Sequence, residues 1–179
     1  MSGESIPIAL PISRLETGAC EATALFEELR KPLLRYVACL GLSSDEAQDV
    51  VQETFLRLHR HVAGNAPRDN LRSWLYRVAH NEARNRQQSY DRRFGLALDV
   101  SAHGARDEAT PERAILEQEK TKRLSAAIGS LTEMERECLL LRADGLRYRE
   151  IGEVLGLATS TVADTVDRAV RKLAEKCNV

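Results

Sequence analysis

Apolar residues return at intervals of three and four along most of the chain, and this spacing predicts a series of amphipathic α-helices. The first predicted helix ends at Gly41. It contains Pro32, where we expect a kink or a break because proline lacks the N–H that a helix uses. Its apolar stripe consists of Leu25, Phe26, Leu29, Leu33, Val37 and Leu40.

The second predicted helix follows a short turn and runs to about Val62. Ser43 or Ser44 caps its first turn, and the acidic Asp45 and Glu46 come next, as is typical of a helix N-terminus. Its buried stripe is predicted to consist of Ala47, Val50, Val51, Thr54 and Leu58.

A third predicted helix, with Asn70 as its N-cap, has two chemically different faces. The apolar face consists of Leu71, Trp74, Leu75, Val78 and Ala79. The other face carries Arg72, Tyr76, Arg77, His80, Asn81, Arg84 and Asn85. Arginine binds phosphate, asparagine reads base edges and aromatic rings stack on bases, so this face suits a strand with exposed bases. An ordinary solvated helix face is the alternative interpretation.

The C-terminal part of the chain has the pattern of a helix-turn-helix. Thr132 and Glu135 form a capping box, and a short helix over 148–155 ends at Gly156. The longer helix that follows is capped by Thr159 or Ser160, and its inward stripe is Val162, Val166, Ala169, Val170 and Leu173. A small residue, Gly152, permits a close crossing. A three-helix bundle that binds no DNA has the same pattern, so both interpretations stay open here.

Composition supports an all-α protein of one or two domains. The chain has 179 residues with 43% hydrophobic and only 4% aromatic residues, and it contains 10 glycines and 5 prolines, few for a protein with many tight β-turns. No run of about 18 apolar residues exists, so we expect no transmembrane helix. Residues 6–12 lack the basic start of a secretion signal, and we therefore expect a cytoplasmic protein.

The net charge of -1 conceals charge blocks. Residues 68–95 carry seven arginines and three acidic residues, whereas residues 96–119 carry two arginines and six acidic residues. A local basic block allows a nearly neutral protein to bind nucleic acid. The acidic block has no sustained helical period, which is typical of a flexible linker. We therefore predict an extension at 1–20, a helical domain at 21–94, an acidic linker at 95–118 and a helix-turn-helix domain at 119–179.

The sequence offers little support for catalysis or metal binding. The four cysteines lie far apart, and the pair His59 and His61 points to different faces of a helix. The motifs of P-loops, dinucleotide-binding folds, serine hydrolases and zinc proteases are absent. We expect neither an enzyme nor a cofactor nor a metal. A one-component transcriptional regulator and a nucleic-acid-processing enzyme remain alternatives.

Three segments in the same order and spacing resemble a known family. The segment 49–58 (DVVQETFLRL) resembles the polymerase-binding motif of sigma factors, and 71–85 (LRSWLYRVAHNEARN) resembles their promoter-melting helix. The segment 131–173 resembles their C-terminal helix-turn-helix. The chain is therefore similar to extracytoplasmic-function sigma factors, the small two-domain class of the sigma-70 family, over residues 22–177.

This resemblance implies a subunit of bacterial RNA polymerase that directs promoter-specific initiation. Its implied partners are promoter DNA, the coiled coil of the largest polymerase subunit and the polymerase flap, together with an inhibitory anti-sigma factor. The implied polymerase-binding residues are Asp49, Gln52, Glu53, Phe55 and Leu56. The implied contacts to the -10 promoter element are Arg72, Trp74, Tyr76, Arg77, His80, Asn81, Arg84 and Asn85. The acidic linker would lie along a basic channel of the polymerase or act as a plain tether.

The second DNA-binding helix departs from the family pattern. Its implied contacts to the -35 element are Arg149, Ser160, Thr161, Asp164, Arg168, Arg171 and Lys172. Ala163 and Thr165 stand where the family often has basic residues, and Asp164 adds a charge that repels phosphate. We expect weak or unusual recognition of this element, and a gain in DNA affinity when Lys and Arg are placed at 163 and 165.

Overall fold

The computed structural model describes residues 12–64, 69–94 and 126–177, and every regular element in these ranges is helical. The helices are α1 (Ile12–Cys39), α2 (Ser44–Ala63), α3 (Leu71–Phe94), α4 (Glu133–Ala143), α5 (Tyr148–Leu155) and α6 (Thr159–Cys177). A helical turn over 126–129 precedes α4. The predicted all-α class is confirmed. Within the described ranges, no helix combines the length and apolar character that crossing a bilayer requires.

Side-chain caps fix two helix starts at the predicted places. The Ser43 hydroxyl accepts the backbone N–H of Glu46, and the Glu46 carboxylate accepts the backbone N–H of Ser43 at 3.0 Å. Thr132 and Glu135 make the same reciprocal pair before α4. Each box satisfies donors that a helix N-terminus leaves unpaired, so the sequence determines where these helices begin.

The first helix differs from its prediction in two respects. α1 continues through Pro32 instead of breaking there. Leu29 and Leu33 on either side of the proline are fully buried, and their packing offsets the lost hydrogen bond, which costs about 3 kcal/mol or more. α1 also begins at Ile12, so residues 12–20 are helical, not the loose extension expected from the sequence. No proline interrupts 12–31, and most of these residues favour helix.

The N-terminal domain is a three-helix unit in which α1 packs along α2 and both contact α3. The five residues predicted for the buried stripe of α2 are all buried. Tyr36 of α1 and Tyr76 of α3 are also fully buried, and their rings meet edge to face with centroids 5.5 Å apart. Before α3, Asn70 adopts a left-handed φ of 58°, and its carbonyl accepts the N–H of Trp74.

The C-terminal domain is the predicted helix-turn-helix. Gly156 ends α5 with a left-handed φ of 70°, which a residue without a Cβ adopts at no steric cost. α6 starts one residue earlier than an N-cap at Ser160 would allow, because the carbonyl of Ala158 accepts the N–H of Val162. Val170 was predicted to face inward but is 49% exposed, since the buried face of α6 is a narrower stripe.

The two domains pack against each other in the described arrangement. α5 lies against α3, and α4 contacts α1. A single apolar cluster runs from Leu75 and Ala79 in the N-terminal domain to Leu146 and Ile151 in the C-terminal domain. The sequence predicts two separate domains and gives no sign of this contact. The linker predicted at 95–118 lies outside the described residues.

Gly152→Ala should lower the melting temperature of the protein. A Cβ at this position would lie 2.6 Å from the backbone carbonyl oxygen of Leu157, and such crowding costs about 1–3 kcal/mol. Thermal unfolding followed by circular dichroism measures the effect. Gly129→Ala is the matched control, because a Cβ there meets no atom within 4 Å and alanine favours helix. Equal melting temperatures for the two variants would contradict the close approach at Gly152.

Candidate functional site

A groove between α1 and α2 forms the first candidate surface. Phe55 is half-buried in it, and its ring meets Phe26 edge to face with centroids 4.9 Å apart. Leu56 is 46% exposed, an unusual fraction for a large apolar side chain. The groove has a volume of about 520 Å³. Its lining consists of Ala22, Thr23, Phe26, Arg30, Leu34, Gln48, Val51, Gln52, Phe55, Leu56 and His59.

Polar residues beside this groove are exposed but carry internal ion pairs. Asp49 lies 3.5 Å from Arg86 of α3, and Glu53 lies 3.1 Å from Arg57 and 3.9 Å from Arg60. Pairs this exposed contribute about 0–1 kcal/mol to stability. The carboxylates therefore remain open to an incoming partner at little energetic cost.

The polar face of α3 divides into two stripes. Arg77, Asn81 and Asn85, spaced by four residues, are exposed to solvent. The second stripe is also spaced by four residues, faces the C-terminal domain and consists of Arg72, Tyr76, His80 and Arg84. We call these the exposed stripe and the covered stripe. The remaining predicted strand-binding residue, Trp74, is half-buried with its ring centroid 4.6 Å from that of His61.

Asp144, at the C-terminal end of α4, holds one end of the covered stripe. Its Oδ2 accepts the Tyr76 hydroxyl at 2.7 Å, and its Oδ1 lies 3.3 Å from the Arg35 guanidinium. Its backbone carbonyl accepts Arg72 Nη1 at 3.0 Å, and Arg72 also pairs with Glu28. Burial and the bond to Asp144 raise the pKa of Tyr76 well above its usual range, so the phenol stays protonated and donates.

The first turns of α4 hold the other end of the covered stripe. Arg84 donates to Glu133 at 2.8 Å and to Glu137 at 2.6 Å. His80 Nδ1 lies 2.8 Å from the Tyr36 hydroxyl and 3.8 Å from Oε2 of Glu137. The Glu137 side chain is only 2% exposed. Both nitrogens of the Arg84 fork are thus engaged by the C-terminal domain.

Burial changes the protonation of the two central groups of this contact. It raises the pKa of Glu137 to about 7, and the guanidinium of Arg84 opposes that rise. Burial lowers the pKa of His80 to about 4, and Arg84 adds to that effect. His80 is therefore uncharged at neutral pH. Glu137 Oε2 has no hydrogen-bond partner among the described residues, which makes this a costly place for a carboxylate.

The sequence analysis missed the acidic side of this contact. Glu133, Glu137 and Asp144 read as solvent-exposed charges, and Arg35 carried no signal. Glu137 stands four residues before the buried Leu141, so helical spacing already places it on the inward side of α4. That position was the one available warning, because spacing indicates burial but gives no partner.

A third surface lies on the outer side of α6. Ser160, Asp164, Arg168 and Arg171 share one face of the helix and are all exposed, as is the neighbouring Thr161. Asp164 therefore stands among the predicted DNA contacts. On α5, the exposed Arg149 pairs with Glu153 at 3.2 Å.

Two positions of α6 differ from the sequence-based expectation. Lys172, a predicted DNA contact, lies 2.8 Å from both carboxylate oxygens of the buried Glu135 and lowers the pKa of that acid. Thr165 is only 6% exposed, and its hydroxyl donates to the carbonyl of Thr161 at 2.7 Å. The expectation that an arginine at 165 would bind DNA is therefore wrong, because this position faces the domain interior.

The described residues contain no group of three or more potential metal ligands. Cys39 is half-buried, and Cys138 is buried. Burial raises the pKa of both thiols, to about 11 for Cys138. Protonated thiols are poor nucleophiles, so neither is activated for chemistry at neutral pH.

Family models match both domains of the chain. The model described as Sigma-70 region 2 matches residues 25–93, and the model described as Sigma-70, region 4 matches residues 121–173. The RNA polymerase sigma-H factor of Pseudomonas aeruginosa is 34% identical over 136 residues, which cover 70% of each chain. The ECF RNA polymerase sigma-E factor of Haemophilus influenzae is 30% identical over 154 residues, covering 80% of this chain and 78% of the relative.

Solved structures share the fold. The sigma factor RpoE in complex with the anti-sigma factor NepR, from Bartonella quintana, aligns with a TM-score of 0.62 and 24% identity, covering 87% of this chain and 98% of that one. CnrH in complex with the cytosolic domain of CnrY aligns with a TM-score of 0.58 and 24% identity, covering 92% of both chains.

Proposed function

The chain belongs to the extracytoplasmic-function sigma factors of the sigma-70 family, and from this membership we propose which of its surfaces bind the polymerase and the promoter. A protein of this family directs promoter-specific transcription initiation by RNA polymerase. The observation that carries the assignment is the groove between α1 and α2, where exposed Leu56 adjoins exposed polar residues.

The polymerase docks on α2 in this proposal. Interfaces gain most of their free energy from a few large side chains that become fully desolvated, and a polar rim fixes the orientation. Leu56 and Phe55 supply the apolar centre. Asp49, Gln52 and Glu53 supply the rim, and their weak internal ion pairs exchange for pairs with basic groups of the polymerase coiled coil.

The exposed stripe of α3 meets the promoter strand as it opens at the -10 element. Arg77 binds phosphate, while Asn81 offers both a donor and an acceptor to the edge of an unpaired base. Asn85 extends the same line by one helical turn. The covered stripe and Trp74 join this surface once they are accessible.

α6 enters the major groove at the -35 element, where Ser160, Thr161 and Arg168 face the bases and Arg171 reaches phosphate. Arg149 contacts the DNA backbone from α5. Asp164 weakens this contact because its charge repels phosphate, although aspartate accepts from the amino group of cytosine. Lys172 stabilises its own domain through Glu135 and adds less to DNA binding than its charge suggests.

The protein acts in the cytoplasm as a dissociable, non-enzymatic subunit in this proposal. It carries no catalytic group of its own, and the polymerase performs the chemistry. An anti-sigma factor holds it inactive, as the complexes of RpoE with NepR and of CnrH with CnrY suggest.

Leu56→Ala should weaken binding to purified core RNA polymerase by about fivefold to tenfold, since truncating a central interface side chain typically costs more than about 1 kcal/mol. Fluorescence anisotropy of the labelled full chain measures the affinity. Val170→Ala removes an equally exposed apolar side chain from α6 and should leave the affinity unchanged. Equal losses in both variants would contradict docking on α2.

Asn81→Ala should reduce promoter-dependent transcripts by about tenfold, because a specific base contact is worth about 1–3 kcal/mol. Run-off transcription with core polymerase on genomic DNA fragments supplies the promoters and the measurement. Ser89→Ala, a polar truncation farther along α3, is the control. Full transcription by the Asn81 variant, with core binding intact, would remove this residue from the promoter contact.

Asp164→Asn should tighten binding to duplex promoter DNA by roughly twofold to fivefold at low salt, because it removes a repulsive charge from the DNA-facing side of α6. Electrophoretic mobility shifts over a range of salt concentrations measure this. Glu27→Gln removes the same charge from an exposed site on α1 and should have no comparable effect. An identical gain in both variants would mean that only net charge matters.

A further inference from the structure

The structure assigns the C-terminal domain a second role, as an internal inhibitor of promoter-strand binding. Its carboxylates Glu133, Glu137 and Asp144 occupy the covered stripe of α3, and the strand gains that stripe only after the two domains separate. The inference rests on the proposed function, because it takes the polar face of α3 as the strand-binding surface.

The two helices match in length and direction. Asp144, at the end of α4, meets Arg72 and Tyr76, whereas Glu133 and Glu137, at its start, meet Arg84. The helices therefore run antiparallel. At a rise of about 1.5 Å per residue, residues 133–144 span about 16 Å and residues 72–84 span about 18 Å. Acidic groups thus reach both ends of the covered stripe.

Occupation by these carboxylates and by a nucleic-acid strand is mutually exclusive. Arginine binds carboxylate and phosphate through the same fork of N–H donors, and both terminal nitrogens of Arg84 already donate to α4. The Tyr76 ring is fully buried and its hydroxyl is bonded to Asp144, so it offers no face for a base. α4 supplies the negative charges that a phosphate backbone would otherwise bring.

The three carboxylates serve the contact between the domains. Among the described residues, every side-chain hydrogen bond and ion pair of Glu133, Glu137 and Asp144 goes to the N-terminal domain. In contrast, Glu135 of the same helix caps α4 and pairs with Lys172 inside its own domain. The interdomain acids are therefore distinct from those that hold the C-terminal fold together.

The contact is suited to reversible opening. Glu137 is almost completely buried, and one of its oxygens lacks a hydrogen-bond partner among the described residues, so its desolvation offsets part of its attraction to Arg84. Separation of the domains returns this carboxylate to water. A partner that binds the separated state, such as core polymerase, then shifts the population toward it.

The triple variant Glu133→Gln, Glu137→Gln, Asp144→Asn tests the inference in the full chain. Small-angle scattering reports the separation of the domains through the radius of gyration. Anisotropy of a fluorescein-labelled 20-nucleotide single-stranded DNA of random sequence reports access to α3. A closed fraction of about 90% lowers the apparent affinity about tenfold. We expect the triple variant to have a larger radius of gyration and to bind the probe about tenfold more tightly.

The matched control is the triple variant Glu153→Gln, Asp167→Asn, Glu175→Gln. It removes three exposed negative charges from the same domain but leaves the contact with α3 intact. We expect its radius of gyration to equal that of the wild type and its DNA affinity to change by less than about twofold. Circular dichroism verifies that both variants fold, and the single variant Asp144→Asn repeats the measurement with a milder change.

Two results would overturn the inference. An unchanged radius of gyration would show that the three carboxylates do not hold the domains together. A larger radius with no gain over the control in DNA affinity would show that the covered stripe adds nothing to strand binding. If Asn81→Ala still abolishes run-off transcription in either case, the proposed function stands and the internal inhibition alone is rejected.

Discussion

The ion pair between Arg84 and the buried Glu137 is the interaction on which the arrangement of the two domains depends. It joins a helix of the polymerase- and promoter-binding domain to the helix before the helix-turn-helix, at 2.6 Å. A buried carboxylate needs such a partner, because an unpaired charge in an apolar environment is far more costly. His80, left uncharged by burial, and the tyrosines of α1 and α3 fill the surrounding space.

α3 consequently has three tasks. Its apolar face completes the N-terminal core, its exposed stripe remains available to a promoter strand, and its covered stripe binds the C-terminal domain. The same arginine chemistry serves the second and third tasks, since carboxylates and phosphates are recognised by the same donors. The polymerase groove on α2 and the DNA-facing side of α6 stay exposed in this arrangement.

The local features of the fold were predictable because they depend on neighbours in the sequence. The capping boxes at Ser43 and Thr132 and the left-handed glycine at 156 involve residues only a few positions apart. The continuation of α1 through Pro32 was not predictable, because packing from other helices outweighs the local preference. Among the candidate site residues, Lys172 reads as a DNA contact until the fold brings Glu135 beside it.

The sequence by itself determined the helices, the helix-turn-helix and the family, since periodicity, caps and motifs are properties of short segments. The tertiary structure alone decided which side of α3 is exposed. Tyr76 and Asp144, for example, are 68 positions apart, and no spacing rule connects them. A contact between distant charges depends on how complete domains pack, because the free energy that buries Glu137 comes from surfaces that meet only in the folded chain.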